Sequence, residues 1–336
     1  MARRISLNLP SLKGQRILIT GGLGFIGSNL ARKCLELGAQ VTVYDCLDPR
    51  SGGNMHNVHD IEGSIEIILN DIRNFDGVSA CIRNKDVLFS CAAYTSHPNS
   101  MLEPLTDIDI NCKGIINLLE AARRFNPHLK IVHVASSTQI GKMHLNPVDE
   151  LHPEFPMDIY SANKVVSEKY MLIYHSAYGL ATSVVRLANT FGPRSNIKNS
   201  DLGFINYFIG LALQGKDLTV FGEGKQMRNI SYVDDCASAL ILASQSERSN
   251  GEVFFAVSDR QYSIVEIAQT ITNVIGKSGV RFVEWPKDRQ IIEFGDAIIS
   301  NKKIKETLSW SPEWDLERGL GPTKAYFESC LEKYLR

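Results

Sequence analysis

A tyrosine and a lysine stand four positions apart, at Tyr160 and Lys164, in the segment D-I-Y-S-A-N-K. A free tyrosine has a pKa near ~10, so its phenol is a poor base at neutral pH. A lysine one helical turn later lies on the same face of a helix, and its positive charge favours the phenolate. If the segment is helical, the spacing therefore predicts a tuned acid–base pair.

A third candidate lies upstream in V-A-S-S-T-Q-I-G (134–141), where hydroxyl groups follow a predicted buried strand. Open α/β sheets bind their ligands at the carboxyl ends of strands, so Ser136 is placed to share a substrate hydroxyl with Tyr160. The three side chains together predict oxidation of an alcohol carbon. Tyr160 takes the hydroxyl proton, Ser136 orients the hydroxyl, and Lys164 lowers the pKa of the tyrosine, while the hydride leaves for an oxidised cofactor.

Apolar runs and helical patterns alternate along the part of the chain that carries these residues. The strand-like runs are 16–20, 41–44, 65–69, 86–90, 130–135 and 182–187, and helical patterns cover 28–37, about 109–124, and the segment after Tyr160. This alternation predicts an α/β fold with a Rossmann-type, doubly wound parallel sheet. After Gly192 the pattern becomes irregular. We therefore predict an NAD-binding domain over 14–190 and a smaller substrate-binding region over 191–336, with interleaved elements.

The glycine-rich segment G-G-L-G-F-I-G follows the first predicted strand. Gly21, Gly24 and Gly27 permit a tight turn and let the amides of the next helix approach a pyrophosphate. Asp45 ends the second predicted strand, where a carboxylate bonds the adenosine ribose and repels a 2′-phosphate, which favours NAD over NADP. The cofactor contacts that we predict are Gly21, Gly24, Phe25, Ile26, Gly27, Asp45, Asp71, Ile72, Ala92, Tyr160 and Lys164.

Composition narrows the classes of partner. The 336 residues include 36 basic and 37 acidic side chains, a formal charge of −1, so nucleic acid is not a predicted partner. The seven cysteines lack C-x-x-C spacing, which suits reduced thiols and a cytoplasmic location. No apolar stretch reaches the length of a signal peptide or membrane span, so no membrane association is predicted. The pair His56 and His59 has no further ligands at metal-binding spacing, and we predict no metal site.

Seven motifs, in order, carry a resemblance to a known family. They are G-G-L-G-F-I-G, Asp45, D-I-R, S-S-T, Y-S-A-N-K, R-L-A-N-T-F-G-P-R and G-E-G-K-Q-M-R-N-I-S-Y-V-D-D, and the match extends from about Gly14 to S-W-S-P-E-W (309–314). This pattern resembles the extended short-chain dehydrogenase/reductase family, in particular its nucleotide-sugar epimerases and dehydratases. The resemblance implies a nucleoside-diphosphate sugar as substrate, with Asn189 and Arg228 at the diphosphate and Glu293 at the nucleotide ribose. The substrate contacts implied are Ser96, Ser136, Ser137, Asn189, Arg228 and Glu293.

The resemblance also bears on the reaction. Family dehydratases carry an adjacent Asp-Glu pair just after the catalytic hydroxyl, and decarboxylating relatives keep the glutamate, whereas this chain has Ser137 and Thr138. Epimerisation through a transient 4-keto sugar is therefore favoured, as in UDP-glucose 4-epimerases. A 4-dehydrogenase, a 4-ketoreductase and a C2 epimerase use nearly the same residues and stay open, and a 4,6-dehydratase-like enzyme is kept as a further alternative. The family usually has Tyr-Gly where this chain has Ile140-Gly141, which leaves the wall of the sugar pocket undetermined.

Two alternatives come from other classes of protein. A catalytically silent NAD-binding sensor would keep the fold, but it would gain nothing from the intact set of Ser136, Tyr160 and Lys164. A dehydrogenase of hydrophobic alcohols such as sterols would share that set, but it would not use Asn189 and Arg228.

Two further features stay open at this stage. His97 follows the fourth predicted strand and either contacts a sugar hydroxyl or has a structural role. In relatives, the helix that carries Tyr160 and the helix from about 109–124 pack against their copies, so we predict a homodimer. The apolar residues Ile115, Leu118 and Leu119 fit such an interface or, equally well, a stripe that faces the sheet.

Overall fold

The computed structural model of the protein describes residues 9–286 and 295–335. The strands are β1 (Arg16–Thr20), β2 (Gln40–Asp45), β3 (Glu66–Leu69), β4 (Val87–Ser90), β5 (Lys130–Ser136), β6 (Ala181–Leu187), β7 (Thr190–Phe191), β8 (Leu218–Phe221), β9 (Met227–Asn229), β10 (Ser231–Tyr232), β11 (Val253–Ala256), β12 (Gln261–Ser263) and β13 (Val280–Val283). The α-helices are α1 (Phe25–Glu36), α2 (Phe75–Ile82), α3 (His97–Leu102), α4 (Pro104–Ile108), α5 (Gly114–Phe125), α6 (Ile159–Tyr178), α7 (Phe204–Leu213), α8 (Val233–Gln245), α9 (Ile264–Ile275), α10 (Lys302–Leu308), α11 (Leu316–Cys330) and α12 (Glu332–Leu335).

Seven parallel strands form the central sheet, in the order β11-β6-β5-β4-β1-β2-β3. This order confirms the predicted doubly wound, Rossmann-type α/β fold. The strand order reverses at β1, which pairs with β2 on one side and with β4 on the other. Loops that leave β1 and β4 therefore diverge to opposite faces and open a crevice at the carboxyl edge of the sheet.

Helices cover both faces of the sheet, and the side chains of β1 show why. Ile17 and Ile19 are buried in a core that also contains residues of α1 and α8, whereas Leu18 is buried in a second core with residues of α2, α5 and α6. Successive side chains of a strand point to opposite faces, so three consecutive apolar residues need a helical layer on each side. The apolar residues of R-I-L-I-T thus favour a position for β1 inside the sheet, with helices on both faces.

The region around the predicted helix 109–124 differs from the sequence prediction. Helical structure begins earlier, with α4, and passes through a π-helical turn at Asp109–Lys113 before α5. Ile115, Leu118 and Leu119 are buried against the sheet, so these residues form the sheet-facing stripe of the two alternatives. The homodimer stays a prediction that these three residues do not support.

The chain after β6 builds a smaller unit and also returns to the sheet. Three two-stranded sheets pair β7 with β10, β9 with β12, and β8 with β13. They surround a separate apolar core with α7, α9 and α11. In contrast, α8 packs on α1, and β11 extends the central sheet beside β6. No helix in the described part of the chain is long and apolar enough to span a membrane.

Candidate active site

A cavity of about 810 Å³ opens at the carboxyl edge of the sheet, where the strand order reverses. The glycine-rich turn after β1 and Asp45 at the end of β2 line one part of it. Ser136 at the end of β5, together with Tyr160 and Lys164 of α6, lines another part. The parallel sheet thus brings residues from separate motifs into one crevice.

The glycines of the turn are required by close backbone contacts. Gly21 has φ of +67°, and a Cβ atom there would lie 2.7 Å from the amide nitrogen of Ala92. A Cβ atom on Gly27 would lie 2.3 Å from the carbonyl oxygen of Gly21. Gly24 is the N-cap of α1, and no side chain caps this end of the helix. The first residues of α1 line the cavity, so their backbone amides are available to a ligand there. Such an end suits a pyrophosphate.

We expect Gly27→Ala to lower the free energy of unfolding by about 1–3 kcal/mol and to weaken cofactor retention, because the added methyl group overlaps the backbone. Thermal unfolding and the amount of NAD released from purified protein measure the two effects. Gly63→Ala is the matched control, since a Cβ atom at Gly63 meets nothing within 4 Å. Equal behaviour of the two variants would contradict the role assigned to this turn.

Two carboxylates line the cavity beyond the turn. Asp45 accepts hydrogen bonds from the backbone amides of Leu23 (3.0 Å) and Leu47 (2.9 Å), and burial raises its pKa. Asp71 accepts hydrogen bonds from Arg73, with the Nη2–Oδ2 distance at 2.6 Å. Burial acts to raise the pKa of Asp71, but the Arg73 guanidinium lowers it overall. Asp45 is thus fixed by backbone contacts, and Asp71 by a salt bridge.

Tyr160 lies in the first turn of α6, which begins after Asp158. The carboxylate of Asp158 caps this helix by accepting a hydrogen bond from the amide of Ser161 at 2.7 Å. Ser136 lines the cavity near Tyr160, and its hydroxyl lies 2.9 Å from that of Thr138. Burial raises the pKa of Tyr160, while the contact with Ser136 lowers it. In the protein alone the effect of burial dominates, so the phenol is neutral at pH 7.

Lys164 is buried one turn further along α6. Its Nζ donates a hydrogen bond to the carbonyl oxygen of Val134 at 2.6 Å and lies 3.1 Å from Nε2 of His133. Burial lowers the pKa of Lys164 to about 8. Burial and the nearby lysine also hold the pKa of His133 well below its usual value, so this imidazole is neutral and accepts from the ammonium group.

A buried network of hydrogen bonds holds the backbone of Ser136 in place. The amide of Ser136 donates to Oε1 of Gln139 at 2.9 Å, and Nε2 of Gln139 donates to Glu168 at 3.0 Å. Glu168 in turn forms two hydrogen bonds of 2.7 Å with the guanidinium of Arg186 in β6. Because the ion pair is buried and bidentate, it ties the end of β5 to α6 and β6.

Comparisons with known proteins agree with this geometry. The sequence profile of the NAD dependent epimerase/dehydratase family matches residues 17–256. The chain belongs to this family. It is 33% identical to a putative UDP-glucose 4-epimerase of Methanocaldococcus jannaschii, over 90% of this chain and 95% of the relative. It is 32% identical to UDP-glucuronic acid decarboxylase 1 of Xenopus tropicalis, over 95% of this chain and 73% of the relative. The structure of a Thermotoga maritima UDP-glucose 4-epimerase with UDP-glucose superposes with a TM-score of 0.85, at 27% identity and with coverage of 94% and 100%.

Membership of the NAD-dependent epimerase/dehydratase family confirms the predicted cofactor. The uncapped amides of α1 fit a pyrophosphate, and Asp45 fits a ribose with free hydroxyls. When bound, NAD+ supplies the acceptor for a hydride from the substrate. The assignment of individual cofactor contacts stays a prediction. The predicted contacts that line the cavity are Gly21, Gly24, Phe25, Ile26, Gly27, Asp45, Asp71, Ile72, Ala92, Tyr160 and Lys164.

The predicted substrate residues divide into three groups. Ser136, Ser137 and Asn189 line the cavity, and Asn189, with φ of +39°, donates a hydrogen bond to the carbonyl of Asn229 at 2.8 Å. Ser96 and Arg228 are not among the described residues that line the cavity. The hydroxyl of the buried Ser96 caps α3, accepting from the amide of Asn99.

Arg228 and Glu293 need separate treatment. The buried guanidinium of Arg228 donates hydrogen bonds to the carbonyls of Met227 (2.9 Å) and Gly295 (2.6 Å). The backbone of Arg228 forms an isolated β-bridge with Ala297, which lines the cavity. Glu293 lies outside the described residues. The diphosphate and ribose roles of Arg228 and Glu293 stay predictions.

Sequence analysis missed several residues that support this site. His133 lies in hydrogen-bond contact with Lys164, Gln139 accepts a hydrogen bond from the backbone of Ser136, and Glu168 accepts one from Gln139. Glu168 lies one turn after Lys164 on the same helix, a spacing that offered a signal. The contacts of His133 with Lys164 and of Gln139 with Glu168, however, join residues about 30 positions apart. Ile140, which departs from the family pattern, is buried in an apolar cluster with Val148 and Phe255.

Proposed function

We propose that the protein is an NAD-dependent nucleotide-sugar epimerase that inverts a sugar at C4 through a transient 4-keto intermediate. The observation that carries this proposal is the meeting of Ser136, Tyr160 and Lys164 in one cavity with the glycine-rich turn. A sensor that only binds NAD has no use for a tyrosine and a serine that line the same cavity beside a buried lysine.

The proposed reaction begins with the C4 hydroxyl of the sugar. Tyr160 takes the hydroxyl proton, and Ser136 orients the oxygen through a hydrogen bond. Lys164 keeps a positive charge near the phenol, which favours loss of the phenol proton to solvent before Tyr160 takes the proton of the sugar. The hydrogen on C4 leaves as a hydride, which bound NAD+ would accept, and after the 4-keto sugar rotates the hydride would return to its other face. Tyr160 then returns the proton to the oxygen at C4, so the residues and the cofactor end as they began.

Two branches of the family are less well supported by the residues near Ser136. The positions that carry Asp and Glu in dehydratases hold Ser137 and Thr138, which contribute hydroxyl groups only. No glutamate occurs among the described residues that line the cavity. The decarboxylase relative shows that overall identity near one third does not separate these activities. The proposal therefore relies on the local hydroxyl cluster and not on overall similarity.

The proposed substrate is a nucleoside-diphosphate sugar, with Asn189, Arg228 and Glu293 as its predicted ligands. UDP is the first nucleotide to test, because the Thermotoga maritima structure contains UDP-glucose. We also propose that the enzyme is cytoplasmic and forms a homodimer. A monomeric mass in light scattering at working concentration would overturn the dimer.

The decisive experiment identifies the cofactor released on denaturation and follows products formed from UDP-glucose, UDP-N-acetylglucosamine and dTDP-glucose by NMR. An isomeric product without accumulating NADH is the expected result. Stoichiometric NADH with a keto sugar would instead identify a dehydrogenase. A product that has lost water or carbon dioxide, with glucuronic acid donors included, would identify the other family branches.

A further inference from the structure

A histidine and a carboxylate form a hydrogen-bonded pair beside the catalytic tyrosine. Nδ1 of His97, at the start of α3, lies 2.7 Å from Oδ2 of Asp158, which precedes α6. The His97 ring stands edge-on to the Tyr160 ring, with 4.9 Å between ring centroids and 80° between planes. Both His97 and Asp158 line the cavity. The pair thus occupies the same space as the predicted catalytic residues.

The surrounding contacts fix which nitrogen of His97 carries the free lone pair. The hydrogen bonds from His97 and Ser161 lower the pKa of Asp158 although burial acts to raise it, so Asp158 is ionised and can only accept. Nδ1 of His97 therefore donates, and in the neutral ring Nε2 keeps its lone pair. Nε2 makes no hydrogen bond to any residue in the described part of the chain. A carboxylate behind a histidine that presents a free nitrogen is the arrangement of a general base.

We propose that His97, held by Asp158, is a second base in this cavity, and that it removes the proton from a ring carbon next to C4 while C4 is a ketone. This inference rests on the proposed function, because only a carbonyl at C4 makes the hydrogens at C3 and C5 acidic. It adds an activity to that function, namely enolisation of the keto sugar.

The step balances with groups that the cavity contains. The C–H bond breaks, its proton bonds to Nε2 of His97, and its electron pair forms the C=C bond of an enolate. The oxygen at C4 takes the negative charge and accepts hydrogen bonds from Tyr160 and Ser136. Asp158 stabilises the imidazolium that results. Return of a proton from Nε2 to the carbon restores the keto sugar.

Tyr160 does not fill this role, because it already holds the proton that came from the C4 hydroxyl. Ser137 and Thr138 do not fill it either, since neutral hydroxyl groups are weak bases. Of the groups in contact with Tyr160, His97 presents the basic lone pair. The acid–base pair that dehydratases carry after β5 is thus replaced, in this chain, by a pair from the starts of α3 and α6.

Reaction in D2O gives a direct test. Simple inversion at C4 moves a hydride out and back and places no solvent hydrogen on carbon. Enolisation does, because the His97 side chain is 36% exposed and its imidazolium proton exchanges with solvent. We expect the sugar recovered from the holoenzyme, after return to H2O, to be 1 Da heavier, with deuterium at C3 or C5 located by NMR. UDP-glucose, UDP-N-acetylglucosamine and dTDP-glucose are the probes.

Two variants test whether His97 and Asp158 cause the deuterium exchange. His97→Asn keeps an amide donor for Asp158 but has no basic nitrogen, and we expect the ratio of deuterium exchange to C4 turnover to fall by about 10²-fold. Asp158→Asn keeps a residue that caps α6 well but removes the negative charge, and we expect the ratio to fall by at least about tenfold. His128→Asn, at an exposed histidine outside the cavity, is the matched control and leaves the ratio unchanged.

The outcomes separate this inference from the proposed function. C4 turnover without deuterium on carbon would overturn the inference alone and leave His97 as a residue that contacts the sugar or holds Asp158. An unchanged ratio in His97→Asn would also overturn it. Absence of C4 turnover with all three sugars would overturn both proposals.

Discussion

Tyr160→Phe is expected to lower turnover by about 10²-fold or more while the protein still retains NAD. The variant loses only the phenol oxygen, so the buried ring keeps its packing beside His97. Without that oxygen, the C4 hydroxyl loses the base assigned to it, and positioned acid–base groups contribute about 10²–10⁴-fold. Initial rates by NMR and the NAD content of the purified variant measure the two effects.

Tyr170→Phe is the matched control for this prediction. Tyr170 lies ten positions later on α6, is partly buried, and does not line the cavity. We expect this control to keep both turnover and cofactor. Turnover of Tyr160→Phe within a few-fold of the unmodified enzyme would show that the proton has another acceptor, and the proposed mechanism would be wrong.

The main elements of the fold follow from local patterns. The run 16–20 coincides with β1, and the runs 130–135 and 182–187 each lie within one residue of β5 and β6. These strands are buried along most of their length, and the short apolar runs within them mark the strands. Turn glycines are equally local, because a Cβ atom at Gly21 or Gly27 would overlap the backbone.

Other features depend on partners that are distant in sequence. The amide of Asn111 in the π-helical turn bonds the backbone of Tyr94 and the carboxylate of Asp107, which also accepts from Asn163. Periodicity within 109–124 contains no sign of these contacts, since it reports only which face is apolar. For the same reason, the sequence alone did not decide whether Ile115, Leu118 and Leu119 face a second subunit or the sheet.

The candidate site shows the same division. The alternation of elements placed Ser136, Tyr160 and Asp45 at one edge, because parallel strands end together. The hydrogen-bond partners of the site residues could not be predicted in this way. His97 and Asp158 are 61 positions apart, and Gln139 connects Ser136 to an ion pair between α6 and β6. Only the folded chain shows that each has a polar partner.

Lys164→Met is expected to lower turnover by about 10²-fold or more and, at pH 7, to stabilise the protein. The loss of turnover follows because the ammonium group is the positive charge that favours the Tyr160 phenolate, and removal of one such charge or donor costs about 10²–10³-fold. Methionine fills a similar volume without a charge. Tyr160 keeps its contact with Ser136, so the defect lies in the electrostatics of the phenol.

The gain in stability follows from the pKa of Lys164. Burial lowers it from 10.5 to about 8, so at pH 7 the folded protein holds a charge that is unfavourable there. By linkage this charge costs about 3 kcal/mol relative to the neutral form. Methionine also loses the hydrogen bonds to Val134 and His133, at about 1 kcal/mol each. We therefore expect a net gain of roughly 1–3 kcal/mol in the free energy of unfolding.

The pH dependence gives this prediction its sign. Below pH 8 the lysine is protonated in both the folded and the unfolded protein, so the difference between variant and wild type is at its largest. Between pH 8 and 10.5 the folded wild type releases the proton while the unfolded chain still binds it, and wild-type stability rises. The advantage of the variant must therefore shrink across this window.

Urea unfolding of both proteins, freed of cofactor, from pH 6 to 10.5 measures the difference. Lys169→Met is the matched control, because Lys169 lies on the same helix with 45% of its side chain exposed and pairs with Glu154 and Glu168. Loss of that pair should not stabilise the protein at pH 7. A Lys164→Met variant that is inactive and destabilised at pH 7 would mean that Lys164 is held mainly for the fold. An inactive but stabilised variant would mean that the chain keeps an unfavourable buried charge for the sake of Tyr160.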